Sequence, residues 1–242
     1  MRRGAFAAGL LASWCLGASL APWPCAAQAM TSLTAALLSD YRFRGVSLSD
    51  GRTAAQASVN VDWIPAYAGL FASSARLGYE DDRSVELEPY AGWTLQRDGA
   101  SLDLGAAYAA FASEAEYDYA ELHAGIAKGD YAFQVFYSPS YFRGGERTLY
   151  MQFGASSALA GAARVFLHAG DLQCLTRAPQ DSSGPRSQFD VRVGADARWP
   201  AAGVQLYWTW VNRVLDLYPV SSYDGTARAG RSAIVLQVSA FL

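Results

Sequence analysis

The 242-residue chain is poor in lysine (one), histidine (two), cysteine (three) and charge of any kind (17%), and it has no long apolar run beyond its N-terminus. Each shortage excludes a class of protein. With 52% hydrophobic residues and a net charge of −3, the chain has neither the low hydrophobicity of a disordered protein nor the basic excess of a nucleic-acid binder. A membrane-spanning helix needs about 18–20 consecutive apolar residues. Past the N-terminus the longest charge-free stretch is 148–163, which is shorter and broken by glycine and serine, and this argues against helical spans. What is plentiful is aromatic: 7 Trp, 14 Tyr and 11 Phe, beside 22 Gly. Those counts point to a β-rich fold.

The N-terminus reads as an address. Arg2 and Arg3 form a positive start, 5–20 is uncharged and apolar, and Pro22 and Pro24 precede the small-x-small site Ala27-Gln28-Ala29. Residues 1–29 are therefore expected to be a cleaved secretory signal, with 30–242 as one domain. Removing them leaves 17 basic against 22 acidic side chains and a single cysteine, Cys174, so no internal disulfide forms in the exported chain. Cys174 falls in the longest connection, where it is either a reactive external thiol or, as is more common for such a residue, incidental.

Beyond residue 30 the dominant signal is alternation with period two, the mark of strands with one apolar face. In 188–198, Phe189, Val191, Val193, Ala195 and Ala197 alternate with Gln188, Asp190, Arg192, Gly194, Asp196 and Arg198. The same template fits 33–44, 55–63, 85–95, 102–111, 119–127, 131–138, 149–155, 164–170, 204–213 and 234–242, and 67–74 is strand-like, which makes twelve segments. Their connections alternate in length. Tight ones at 64–66, 97–100, 128–130 and 200–203 and a short one at 157–162 fall on one rim. Longer ones at 45–52, 76–84, 112–118, 139–148, 171–187 and 216–231 fall on the other.

An even strand number with short turns at one rim and long loops at the other is the pattern of a transmembrane, antiparallel, up-and-down β-barrel of the outer-membrane type. In a bilayer a sheet spans only if it closes, and its outer face must be the apolar one. Trp63, Tyr67, Trp93, Tyr131, Phe133 and Trp199 lie beside the short turns, as a periplasmic aromatic girdle would. The C-terminal strand places Ile234, Leu236, Val238, Ala240 and Leu242 on one face, like the strand that hands outer-membrane proteins to the barrel-assembly machinery, although Phe241 is penultimate rather than last. The expected location is the outer membrane of a Gram-negative bacterium, with its lipid as the surrounding partner. The structural competitor is a soluble β-sandwich, which offers no reason for the alternating loops.

Residues 37–47, with Ser39-Asp40-Tyr41-Arg42-Phe43-Arg44-Gly45 at their centre, resemble the opening motif of the proteobacterial Gcw-chp family of exported proteins. Residues 67–73, 89–92 and 137–142 resemble its later motifs, with Ser140 where Asp is expected. The resemblance implies an outer-membrane location and a barrel fold; the family has no established activity, so it transfers no functional residue.

Chemistry then has to be sought on the polar faces. Asp40, Arg42 and Arg44 stand two apart and are expected to face the lumen, together with Glu86, Glu88, Glu121, Asp190, Arg192, Asp196 and Arg198. Asp103, His123, Arg164, His168 and Arg213 join them. One reading is a charged constriction that sorts small solutes, as in a porin-like passive channel; the other is a set of ion pairs that fills a sealed structural or surface-binding barrel. A lipid-modifying enzyme is the third possibility. His123 and His168 match no hydrolase motif and no metal-ligand spacing, so no catalytic residue, metal or cofactor is assigned and no enzymatic activity is expected.

Overall fold

The computed structural model describes residues 29–77, 82–142, 145–176, 185–218 and 230–242; the expected signal segment lies, apart from Ala29, outside them. Twelve strands close into one antiparallel barrel. They are β1 (Met30–Leu38), β4 (Ala54–Trp63), β5 (Ala66–Leu77), β6 (Asp82–Arg97), β7 (Ala100–Phe111), β8 (Tyr119–Lys128), β9 (Tyr131–Tyr141), β10 (Glu146–Ala158), β11 (Ala163–Cys174), β12 (Ser187–Arg198), β13 (Ala202–Val211) and β14 (Ser232–Phe241). Two short strands, β2 (Arg42–Phe43) and β3 (Val46–Ser47), form a separate hairpin. Each barrel strand pairs with its neighbour in sequence, and β1 seals the ring by pairing with β4 on one side and β14 on the other.

The two faces sort by chemistry. Leu33, Leu37, Val59, Leu87, Leu104, Leu122, Ile126, Val193, Leu206 and Leu236 point outward and are exposed, whereas Thr34, Ser58, Asn60, Glu88, Glu121, Gln134, Gln152, Asp190 and Thr209 are buried inside. A sandwich would do the reverse, with its apolar faces packed on each other. The ring also pairs its ladders strand to strand, which leaves no edge for hydrocarbon to strand unsatisfied. A tilted span needs about 9–11 residues. The sixteen residues of β6 therefore carry its ladder past the bilayer on the side of the long connections.

Several boundaries differ from expectation. The connections expected at 76–84 and 139–148 are mostly strand: β5 and β6 pair as far as Leu77 with Asp82, and Glu146 pairs with Tyr141 past a bulge. β13 ends at Val211, so Arg213 is exposed beyond it rather than facing the lumen. Tyr67 is not part of the girdle. Its cross-strand partner is Gly92, whose missing side chain leaves room for the ring to turn inward, where the hydroxyl meets His123 Nε2 at 3.1 Å. Trp63, Trp93, Tyr131, Phe133 and Trp199 do face outward at the short-turn rim. Cys174 closes β11, buried, with its thiol 2.8 Å from the Thr176 carbonyl, because the ladder extends through it; it is not an external thiol.

The largest departure concerns the first strand. It leaves the sheet after Leu38, where the Ser39 amide donates to Leu236 O (2.9 Å) and the Ser39 hydroxyl accepts from the Leu236 amide (3.0 Å), so that one residue ends the ladder with its polar groups satisfied. Asp40, Arg42 and Arg44 consequently do not alternate along a barrel strand. They belong to the hairpin of 39–53, which turns back into the barrel.

An outward charge tests which face meets hydrocarbon. Leu122→Arg near the middle of β8 should cost about 2–4 kcal/mol in vesicle unfolding, as Arg does at the bilayer midplane. A change within about 0.5 kcal/mol, typical of a water-facing surface, would contradict the assignment.

Candidate functional site

The site is the interior of the barrel at the end of the long connections. From Asp40 to Ser49 every residue is buried, with Val46 and Leu48 at 0% and 1% exposure. This segment carries Tyr41, Phe43, Val46 and Leu48, apolar or aromatic groups that a solvated loop would leave in water. Inside, they pack into one cluster with Leu77, Phe111, Tyr119, Phe136, Tyr141, Phe142, Tyr150, Leu172 and Tyr218. About eight strands make a barrel that side chains alone can fill. Twelve leave more room, and the hairpin occupies it.

Local sequence makes the hairpin. Phe43 pairs with Val46 across Arg44-Gly45, whose φ values of +50° and +80° are the positive pair that a two-residue type I′ turn requires. Glycine is needed at the second position for a further reason. A Cβ there would lie 2.8 Å from Val211 Cβ and 3.0 Å from Asp190 Cβ, so the turn presses directly on the barrel wall. At its base, Leu48 N–H donates to Tyr41 O (2.8 Å), the Ser49 hydroxyl accepts from Tyr41 N–H (2.8 Å), and Leu48 O accepts from Arg76 N–H (2.7 Å).

The charged candidates divide into two groups. In the hairpin, Asp40 accepts from Arg42 Nε, from Ser47 and from the Ser49 hydroxyl (3.0 Å), while Arg42 Nη1 reaches the carbonyls of Gly45 (3.2 Å) and Gly230 (2.8 Å). These contacts hold the hairpin's own shape, except the bond to Gly230, which ties it to the barrel just before β14. Arg44 instead reaches the wall: Nη2 donates to Glu121 at 2.7 Å and Nη1 to the Tyr141 hydroxyl at 3.1 Å. Its guanidinium also lies 4.1 Å from the Tyr150 ring centre, 5.3 Å from that of Tyr141 and 5.5 Å from that of Phe136, within reach of cation–π attraction. Tyr41 donates to Glu86 at 2.9 Å, and Arg192 stacks on Tyr207 at 4.7 Å and reaches Arg42 O at 3.4 Å. Gln188 binds the Arg44 carbonyl (3.1 Å) and Tyr218 (3.3 Å). Burial pushes the Tyr218 phenol well above its ordinary range, which keeps that acceptor neutral.

Asp190 accepts from Tyr150 (3.0 Å) and His168 (3.0 Å), and Asp103 pairs with His123 at 2.8 Å. Each histidine therefore sits against an aspartate. The second group lies nearer the short turns. Asp196 pairs with Arg164 at 3.2 Å, and Arg198, exposed at the rim, covers the Phe241 ring at 4.1 Å. These two do not reach the hairpin. Polar groups in this half, among them Asp62, Asp103, Gln205 and Gln237, are partly exposed, unlike those around the hairpin. Among the described residues no group of His, Cys, Asp and Glu is arranged to hold a metal ion.

Sequence reasoning missed Tyr141, Tyr150, Phe142 and Tyr218, which make the wall of the plug site. Phe142 holds a φ of +45°, rare for an aromatic residue, and its ring packs on Tyr119 (4.5 Å) and Tyr141 (4.7 Å). The available signal was in the hairpin itself: four apolar or aromatic residues inside a stretch otherwise read as strand end and polar loop.

A closed ring of twelve strands, apolar outside and polar inside, with short turns on one rim, defines a transmembrane β-barrel of the outer-membrane type, here with an internal plug. The chain belongs to the family described as bacterial protein of unknown function (Gcw_chp), which it matches over residues 25–241. Its fold is similar to that of the KdgM porin, at a TM-score of 0.53 and 10% identity over 86% of this chain and 98% of that one. It is similar also to the NanC porin, at 0.52 and 8% over 87% and 98%. No curated protein matches the chain.

Arg44 is the anchor whose loss is most readily measured. Arg44→Met leaves Glu121 buried without its counter-charge and should cost about 3–5 kcal/mol, with part of the loss recovered in Arg44→Met/Glu121→Gln. A cost below about 1 kcal/mol in denaturant unfolding, the range of a solvent-exposed pair, would show that the pair is not buried as described.

Proposed function

We propose that this chain is a Gram-negative outer-membrane barrel that its own hairpin holds shut, and that small solutes pass only when residues 39–53 leave the lumen. The short turns face the periplasm and the long connections face outward, as in barrels of this architecture. The surrounding partners are outer-membrane lipid and the assembly machinery that inserts such barrels. The reading includes no catalytic step.

One observation carries it: the unbroken burial of Asp40 through Ser49 across the interior. A passive channel needs a continuous wet path, and among the described residues an aromatic cluster lies across the interior at the outer end. A purely structural barrel would need no such path on either side. The half-exposed polar lining on the short-turn side favours a conduit with a closed gate over a solid scaffold. The hairpin is also held to the wall largely through side chains rather than a shared ladder, so it can leave without unzipping the sheet.

Conductance across a planar bilayer is the test. The wild-type chain should stay at background. Gly45→Val, which forces a branched side chain against Val211 and Asp190 at a positive φ, should open single-channel steps, as should deletion of 41–48. Steady current from the wild-type chain would overturn the closed reading in favour of an open porin. Silence from folded wild-type and variant barrels alike would leave a sealed scaffold.

A further inference from the structure

The wall around Arg44 has the chemistry of a receptor for an organic cation. β8 contributes the carboxylate of Glu121, and β9 and β10 contribute Phe136, Tyr141 and Tyr150, whose rings surround the guanidinium at 4.1–5.5 Å. A carboxylate set among aromatic faces is how proteins bind guanidinium and quaternary ammonium groups. In this chain a side chain of the plug occupies that place.

The occupant fits imperfectly. Arg44 Nε is buried with no acceptor, and the second carboxylate oxygen of Glu121 is buried with no donor. A buried polar atom left unpaired costs free energy that a better-matched ligand recovers. Carboxyl groups also crowd the site. Glu88 is 3% exposed, two residues from Glu86 on the same face of β6, and lies within electrostatic reach of Glu86, Glu121 and Arg44, so three carboxyl groups gather around one guanidinium. The hydroxyl of Tyr41, also from the plug, is the hydrogen bond that Glu86 receives. Withdrawal of the hairpin therefore strips the wall of both the positive charge and a donor, and exposes a site of carboxyl groups lined by rings.

We propose that this wall pocket binds a small organic cation carrying a guanidinium group and a second positive charge, and that Arg44 stands in for that ligand while the barrel is closed. The guanidinium of the ligand takes the place of the Arg44 head between Glu121 and Tyr150, and its second charge answers Glu88. Ligand and hairpin compete for one site, so binding favours the open barrel. This inference rests on the reading of the hairpin as a removable plug.

The test uses the full chain, folded in detergent, with agmatine as the dicationic probe and butylurea as its neutral counterpart. Arg44→Ala vacates the site, so by calorimetry it should bind agmatine at least about tenfold more tightly than the wild-type chain, where Arg44 competes, with butylurea showing no saturable binding. Adding Glu121→Gln to Arg44→Ala should weaken the agmatine by about tenfold or more. If Arg44→Ala does not fold, Gly45→Val, in which the whole turn is displaced, carries the same expectation. Equal affinity in the wild-type chain and the vacated variant, indifference to Glu121→Gln, or equal binding of butylurea would each overturn the proposal. Conductance of the same samples without probe separates the two ideas: a variant that conducts but ignores agmatine refutes the ligand site alone, and agmatine binding to a barrel that conducts in its wild-type form refutes closure alone.

Discussion

Hydrocarbon offers no partner to a peptide group, and the rest of this structure follows from that constraint. Each strand must find a neighbour on both sides, which forces the pairing of β1 with β14 and the closing of the ring. Once the ring is closed, the outer face can only be apolar, and the alternation along each strand assigns every second residue to the interior. The polar side chains are inside because no other place remains for them. Their burial is thus a consequence of the membrane, not in itself a sign of function.

The interior then has a problem of its own. Twelve strands enclose more space than their side chains fill, and the wall facing the hairpin carries Glu86, Glu88, Glu121 and Asp190 against Arg192. Buried carboxylates without counter-charge are costly. The hairpin answers both needs, since Phe43, Val46 and Leu48 supply volume and Arg44 supplies charge. It is anchored by the tight turn at Arg44-Gly45, which brings the guanidinium to Glu121 and leaves no room for a side chain at Gly45. On the proposed function, closure of the lumen and compensation of the wall are one event, and this links the proposed cation to an open barrel.

Most of the barrel was legible in the sequence because its signal is repeated. Residues 188–198 alternate cleanly between Phe189-type and Asp190-type positions, and the structure places those two sets on opposite faces. Loop lengths told which strand ends share a rim. The alternation failed at 39–44 for a specific reason: Asp40, Tyr41, Arg42, Phe43 and Arg44 also alternate, but in a hairpin with both faces inside protein the alternation no longer separates lipid from lumen. Arg44-Gly45 was the available sign of a turn, and its meaning depends on Val211 and Asp190, far away in sequence. Of the candidate charges, Glu86, Glu88, Glu121, Asp190 and Arg192 do line the plug site. Asp196 and Arg198 share their face but sit too near the short turns, because position along a strand sets height in the barrel. The aromatic wall was hidden because Tyr141, Tyr150 and Tyr218 come from three separate segments.

Amide hydrogen exchange of the intact barrel in detergent tests the placement of the hairpin most directly, without a substitution. With Tyr41 and Leu48 amides bonded and every residue from Asp40 to Ser49 buried, those amides should exchange as slowly as the strands of the ring. Exchange at the rate of an unstructured peptide would place the hairpin outside the lumen and contradict the account of how this barrel is closed.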